Sequence, residues 1–595
     1  MRSFIDVLRE NAVHEDRAVT FVRGNGEERR VSFPDLWKTA RQRARALYKL
    51  GLKKGDRVAL VLPEPDEFVL TFMGCLTAGI VAVPMYPPQT LAKMEAYGDT
   101  VLHILAASGA RALVTSESLA KLMGEHVAGA TEARLVIEAE VQGSEDDIEA
   151  PEPVTLEDLA FLQFTSGSTS KPKGVMVTFG NLAANAHAIM VDGLKSTPAD
   201  KGVSWLPLYH DMGLIGFVVA PLYTLVQVMF LPTMSFIRRP SIWLEAIHKF
   251  RGTITFAPNF AYALATRAVT DAQAKDWDLS CMRHLGCGAE PIQADVLRGF
   301  LDRFEKNGLA PTSILPSYGM AEATLAITFW EVDKTLHTDA VDISKMRAGE
   351  ATPVEAGTEG MELVACGRAF PGHELMIAGP EGESLGERMV GEVWVKGPSV
   401  TKGYFGDPAA TAAAFSNGWL KTGDLGYQAG GELYLCGRAK DLIILNGKNY
   451  YPQDIEAVVS RASGVRDGQC VAFGVLSPDG GEHCVIVAEA KVGPRAGTMA
   501  EIIASIVQLV RAEIGIVPGE VHLIKRGTLP KTSSGKVRRR EAKRRLEEAE
   551  LELLVEGETS PDSLPPPPAE GAASAEAMSL VPRSGSSAEV QRGID

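Results

Sequence analysis

Short apolar runs alternating with amphipathic stretches constrain this chain more than any other feature. Val58-Ala-Leu-Val-Leu62, Ile80 to Pro84 and Ala112 to Thr115 are apolar throughout, whereas Phe33 to Leu50, Phe68 to Ala78 and Leu91 to Ala107 carry helical spacing. Strands with no polar face must be covered on both sides, and crossover helices supply that cover. The stretch from Met1 to about Ala150 therefore predicts a doubly wound parallel sheet, and the same alternation continues to about Leu325. The texture then changes. Residues 332–359 are polar and poor in large apolar side chains, which predicts a surface insertion. Leu363 to Leu435 alternates short strands with Gly/Pro turns, predicting a β-rich subdomain within 363–437. Residues 438–550 read as a separate compact domain, leaving 1–437 as the N-terminal unit. The tail 551–595, with four consecutive prolines, is expected to be disordered.

Between the two halves of the alternation lies Thr165-Ser-Gly-Ser-Thr-Ser-Lys-Pro-Lys-Gly174, preceded by the apolar run Leu159 to Phe164. Small residues let a backbone approach an anion, and hydroxyls, N–H groups and the cations Lys171 and Lys173 suit phosphate oxygens. It is not a Walker A loop, because Lys173 precedes a glycine rather than a serine or threonine. Taken alone, such a loop is more often a flexible connector.

Composition excludes several classes. A net charge of −15 argues against a nucleic-acid partner, so any phosphate chemistry must rest on locally gathered cations. Seven cysteines (75, 281, 287, 366, 436, 470, 484) show neither disulfide nor zinc spacing. The opening Met1-Arg-Ser-Phe-Ile-Asp-Val-Leu-Arg-Glu10 has no apolar leader core, and the expectation is a cytoplasmic protein. Gly213 to Ile237 is uncharged and long enough to span a bilayer, but Pro221, Gln227 and Pro232 interrupt it. A core helix followed by a strand over Val226 to Leu231 is the expected reading, with a membrane segment as the alternative.

Six segments then line up in order. They are Thr165 to Gly174; Trp205-Leu-Pro-Leu-Tyr-His-Asp-Met-Gly213; Ser317-Tyr-Gly-Met-Ala-Glu-Ala-Thr324; Lys421-Thr-Gly-Asp-Leu-Gly426; Gly437-Arg-Ala-Lys-Asp441; and Lys531-Thr-Ser-Ser-Gly-Lys536. In this order they resemble the adenylate-forming superfamily, over roughly residues 1–550. The resemblance implies an α/β fold: a large N-terminal domain with two doubly wound sheets plus a β-rich subdomain, and a small mobile α+β C-terminal domain. It also implies ATP-dependent activation of a carboxylic acid to an acyl-adenylate, with pyrophosphate released. Because a carboxylate and a phosphate repel, positioning and charge neutralisation must carry that reaction.

By the same resemblance, Thr165, Ser166, Gly167, Ser168, Thr169 and Lys173 would hold the outer phosphates. Glu322 and Thr165 would face a Mg²⁺ otherwise held by phosphates and water. Tyr318, within Ser317, Tyr318, Gly319 and Met320, would offer one face to adenine, and Gly288, Ala289 and Glu290 would line the other. Asp424 would accept from the ribose hydroxyls, and Arg438 would donate to ribose or phosphate. Lys536 would bridge the attacking carboxylate and the α-phosphate, His210 would line or gate the acyl channel, and Lys440 would be the hinge. Singly, each is as well read as a surface charge or a satisfied core residue.

Amino-acid-activating relatives carry an aspartate where this chain has Thr255-Phe-Ala-Pro-Asn-Phe-Ala-Tyr262. A buried ammonium without a counter-ion is costly, so the apolar surroundings predict a fatty acid. Within the superfamily Phe72 to Gly79, Val83 to Pro88, Ala257 to Tyr262 and Asn446 to Glu456 are similar to the fatty-acyl-AMP ligases, and 332–359 falls where that branch carries an extra segment. The resemblance implies transfer to the phosphopantetheine arm of an acyl carrier protein, with the insertion limiting the swing of the C-terminal domain. The alternatives are a fatty acid–CoA ligase with an ordinary variable loop, and a non-catalytic acyl- or nucleotide-binding scaffold.

Overall fold

The structure, a computed structural model, describes residues 1–554 except 89–93, 128–130, 145–152, 166–171, 356–357, 359, 446–447, 477–481, 494–495 and 533–535. Two large sheets dominate the N-terminal part. One has six strands in the order Arg134–Ile137, Ala112–Thr115, Arg57–Val61, Val81–Pro84, Leu159–Thr165 and Lys173–Thr178. Its members pair parallel up to the last, which returns antiparallel to Leu159–Thr165 and sets Thr165 opposite Lys173. The strands on either side of the glycine loop thus form an antiparallel pair at a sheet edge.

The other sheet has nine strands: Arg368–Ala369, Ala326–Phe329, Ile314–Gly319, His284–Cys287, Ile254–Ala257, Lys201–Ser204, Gln227–Phe230, Ala18–Val22 and Glu28–Ser32. Strands inside both sheets are buried at nearly every position, which is why they read as unbroken apolar runs. A shared hydrophobic core spans the two sheets. Helix Phe33–Lys49 shows how local sequence places a cover: the Ser32 hydroxyl accepts from Asp35 N at 3.2 Å, and Leu36, Ala40, Ala44 and Leu47 face inward. Helix Pro65–Thr77 is buried all round, and its Asp66 and Glu67 are held by Arg23, Arg29 and Arg43.

Gly213 to Ile237 divides as expected into a helical half and a strand, Gln227–Phe230, but the helical half is irregular. It runs as a π-helical turn over Leu214–Val219 and a 3₁₀ turn over Ala220–Thr224. Pro221 has no N–H to continue the ladder, and Leu225 leaves the turn in the left-handed region at φ 60°. Among the described residues no helix is long and apolar enough to cross a membrane.

A sheet built from Glu374–Ala378, Gly391–Lys396, Phe415–Ser416, Trp419–Ala429 and Glu432–Arg438 follows. The segment expected as a surface insertion does more than cover the surface. Its strand Thr338–Val341 pairs with Met361–Val364, and helix Ile343–Arg347 follows. Val341, Met346 and Ala351 are fully buried with Tyr427, Tyr434 and Tyr451, the last beyond residue 438. Among the described residues of the segment three buried apolar positions carry this packing, so a polar majority hides it in the sequence.

Beyond Arg438, the strands Val465–Leu476, Glu482–Ala490 and Glu520–Ile524 form a sheet with its own core against helices Pro452–Val459 and Met499–Glu513. Residues 551–554, expected in the disordered tail, dock instead: Leu551 is buried and Leu554 N donates to Leu523 O at 2.9 Å. The remainder of that tail, from 555, lies outside the described residues.

Candidate active site

A cleft of about 2700 Å³ opens between the N-terminal sheets, the β-rich subdomain and the residues beyond Arg438. Thr165, Lys173, His210, Ala289, Glu290, Ser317, Tyr318, Gly319, Met320, Glu322, Asp424, Arg438, Lys440 and Lys536 all line it. Gly288 stands just behind the wall. A Cβ there would lie 2.6 Å from Ser317 Oγ, so only glycine lets the turn after His284–Cys287 close against Ile314–Gly319. Gly319 is equally restricted, since a Cβ would meet Leu325 O at 1.9 Å in the tight return that presents Glu322. Ala289, at φ 70°, and Thr324, at φ 68°, adopt left-handed backbone on either side of the cleft. Ser166, Gly167, Ser168 and Thr169 lie outside the described residues.

The polar end is built from paired groups. Asp424 accepts from Tyr318 Oη at 2.8 Å on one oxygen and from Arg438 Nε at 2.9 Å on the other. Each carboxylate oxygen has two lone pairs, so both keep acceptor capacity for hydroxyls. Glu322 accepts from Tyr404 Oη at 2.8 Å through Oε1, and burial raises its carboxyl above the ordinary range. Glu290 accepts from Phe260 N at 2.7 Å and is likewise raised by burial. Lys173 Nζ stands 5.2 Å from the centroid of the Tyr404 ring and 3.9 Å from Asp407.

Lys536 comes from far along the chain, where Lys531 bridges to Val537 and Thr532 N donates to Lys536 O at 2.7 Å. Burial lowers its ammonium below the usual lysine value, while the charges of Asp211 and Glu290 work in the opposite direction. His210 is driven to about 3, first by burial and then by the Lys536 charge, so the imidazole is neutral at working pH. Lys440 is exposed in the turn Ala439–Asp441, and its carbonyl accepts from Arg540 at 3.5 Å. Next to it Asp441 binds Arg539 at 2.6 Å, and Arg539 binds Glu456 at 2.8 Å.

Away from the charges the cleft turns apolar, lined by Ile189, Met190, Phe217, Val226, Phe256 and Phe329. Trp205, stacked 3.8 Å from Phe236, forms another part of that wall. Such a lining suits an alkyl chain and offers no counter-charge to an ammonium.

Sequence reasoning missed two members. Asp211 sits inside a motif singled out for its histidine, and its carboxylate acts on Lys536. Tyr404 comes from a short Gly-Tyr-Phe-Gly stretch with no periodic signal, and only the fold brings it to Glu322.

The donor set suits a hard cation that arrives on phosphates. Among the described residues no group of three or more His, Cys, Asp or Glu side chains could hold a metal, whereas Glu322 and Thr165 both face the cleft. One carboxylate and one hydroxyl complete a shell that phosphates and water must otherwise fill.

A family model described as AMP-binding enzyme matches residues 8–405, and one described as Disco-interacting protein 2-like, AMP domain, matches residues 440–555. A Caulobacter vibrioides protein named as an acyl-CoA synthetase is 39% identical over 505 residues, covering 84% of this chain and 87% of that protein. The long-chain-fatty-acid–AMP ligase FadD26 of Mycobacterium tuberculosis is 36% identical over 524 residues, covering 82% and 86%. A solved structure from a study of fatty acyl-adenylate ligases from E. coli and L. pneumophila aligns with a TM-score of 0.86 and 35% identity. That alignment covers 92% of this chain and 98% of the other.

Proposed function

Since the chain belongs to the AMP-binding enzyme family and is an acid-activating ligase, we propose that it converts a fatty acid and ATP to acyl-adenylate and pyrophosphate, then passes the acyl group to the phosphopantetheine thiol of an acyl carrier protein. One observation carries this reading. Apolar residues such as Met190, Phe217 and Phe256 line the same cleft as Lys536, His210, Asp211, Tyr318, Glu322, Asp424 and Arg438, and the Asp211 charge acts on Lys536.

In the first step a carboxylate oxygen forms a bond to the α-phosphorus and the bond to the β-phosphate oxygen breaks, its electron pair leaving with pyrophosphate. Lys536, whose ammonium reaches the cleft beside Asp211 and Glu290, supplies the fixed cation that stabilises the charge building on the reacting oxygens. Neutral His210 adds no second positive charge and shapes the channel beside the carboxylate. Tyr318 presents its ring to adenine while its hydroxyl stays on Asp424, and Asp424 and Arg438 receive the ribose. Thr165 and Lys173, opposite each other in the hairpin, face the outer phosphates. Glu322 and Thr165 would hold Mg²⁺, which when bound neutralises the phosphate oxygens.

The acceptor reading rests on the insertion. Arg347 donates from Nη2 to Ile514 O at 2.9 Å and stands 4.4 Å over the Tyr450 ring. At its other end the insertion is tied to the β-rich subdomain, where Asp339 accepts from Arg388 and Tyr427 at 2.9 and 2.8 Å. This bridge favours the arrangement with Lys536 in the cleft and resists the larger swing that would seat free coenzyme A. The name of the Caulobacter vibrioides relative favours the acyl-CoA ligase alternative. Mass spectrometry of products from a panel of fatty acids with ATP, offered coenzyme A and a holo-carrier protein together, separates the two. Acyl-carrier product with little acyl-CoA is expected; efficient acyl-CoA formation overturns the acceptor assignment.

A further inference from the structure

We propose that Tyr404 is a positioning residue for nucleotide binding: its single ring sets the spacing between the cation-facing carboxylate of Glu322 and the Lys173 ammonium. This rests on the nucleotide reading given above. Tyr404 Oη donates to Glu322 Oε1 at 2.8 Å, which fixes the rotation of that carboxylate and leaves its second oxygen unengaged by the phenol, and both residues line the cleft. The face of the same ring lies 5.2 Å from Lys173 Nζ, a distance at which an aromatic quadrupole attracts a cation. Asp407, three residues on, stands 3.9 Å from Lys173 Nζ.

The backbone around Tyr404 is clamped to both elements it serves. Toward the phosphate hairpin, Tyr404 bridges Val175, Met176 N donates to Gly403 O at 3.0 Å and Phe405 N donates to Gly174 O at 2.8 Å. Toward the turn that carries Glu322, Thr401 N donates to Glu322 O at 2.9 Å. Thr411 Oγ1 accepts from Tyr404 N at 3.0 Å and leaves no room for a side chain on Gly403, whose Cβ would meet Thr411 Cγ2 at 2.3 Å. The phenol is therefore held in register with both strands. Tyrosine combines a donor for the carboxylate with an aromatic face for the lysine at this spot; phenylalanine keeps the face alone and leucine keeps neither.

The test uses the full chain with ATP and no acid, so that no turnover occurs. Electron paramagnetic resonance of Mn²⁺ measures binding of Mn²⁺·ATP, and calorimetry in EDTA measures binding of ATP without metal. Tyr404→Phe is expected to weaken Mn²⁺·ATP about tenfold, as for loss of a hydrogen bond to a charged group, with metal-free ATP bound as in the wild type. Tyr404→Leu is expected to weaken both. Wild-type affinity for Mn²⁺·ATP in Tyr404→Phe overturns the proposal. So does an equal loss with and without metal in Tyr404→Phe, since that marks a merely structural side chain. A wild type that binds no Mn²⁺·ATP at all would instead remove the nucleotide reading beneath it.

Discussion

Replacing Arg347 by alanine tests the proposed coupling between the insertion and the residues beyond Arg438. The substitution removes one charge-assisted hydrogen bond, to Ile514 O, and one cation–π contact, over Tyr450. In isolation the first contributes about 1.5–3 kcal/mol and the second about 0.5–1 kcal/mol at a partly exposed site. Arg347 keeps part of its surface in water, so about 1–3 kcal/mol jointly is a reasonable range. That corresponds to a roughly five- to 150-fold shift in the ratio of closed to open arrangements. The hydrophobic contacts of Val341, Met346 and Ala351 remain, so the segment itself stays folded. The assay offers limiting coenzyme A and holo-carrier protein to wild type and variant and quantifies both thioesters. Arg347→Ala should raise the acyl-CoA share by a factor within that range while slowing adenylate formation only modestly. An unchanged thioester ratio, with the melting curve intact, would refute the idea that this contact governs acceptor choice.

Two further outcomes follow from the same geometry. Lys536→Ala should cut adenylate formation by about 10²–10³-fold, the scale for removing a preorganised charge-stabilising donor. Its melting temperature should be equal or higher, because burial already disfavours the Lys536 ammonium; unimpaired turnover would remove Lys536 from the mechanism. Asp454→Asn should alter the pH dependence of stability. Burial raises the Asp454 carboxyl to about 7, against the opposing charge of Arg347, so the folded protein keeps a proton that the unfolded chain releases. Stability from this site is complete below about pH 4 and is lost as pH rises to about 7. Thermal melts from pH 5 to pH 8 should show wild type losing ground to the variant, and parallel curves would contradict the assignment.

Much of the scaffold was legible because its strands are buried on both faces. Val58 to Leu62 and Ala112 to Thr115 can be read as strands from apolarity alone, and the helices between them from spacing. What stayed hidden depends on pairing and on sparse contacts. The short connection from Thr165 to Lys173 rules out a parallel crossover between Leu159–Thr165 and Lys173–Thr178, but no local signal says that this pair closes one edge of the six-stranded sheet. The π-helical and 3₁₀ turns before Leu225 depend on where Pro221 falls relative to neighbouring strands. The buried part of the insertion rests on Val341, Met346 and Ala351 among many polar residues. Within the cleft, residues in long motifs were visible as a set, whereas Tyr404, Asp211 and Arg347 gain meaning only from partners far along the chain.

The most direct measurement is exchange of labelled pyrophosphate into ATP by the purified full chain, in the presence of Mg²⁺ and aliphatic acids of graded length. Acid-dependent exchange is the predicted result, lowered about 10²–10³-fold in Lys536→Ala and absent when no acid is supplied. Failure of every aliphatic acid to support exchange, in a protein that is folded and binds ATP, would contradict the claim that a nucleotide and an alkyl carboxylate react in this cleft.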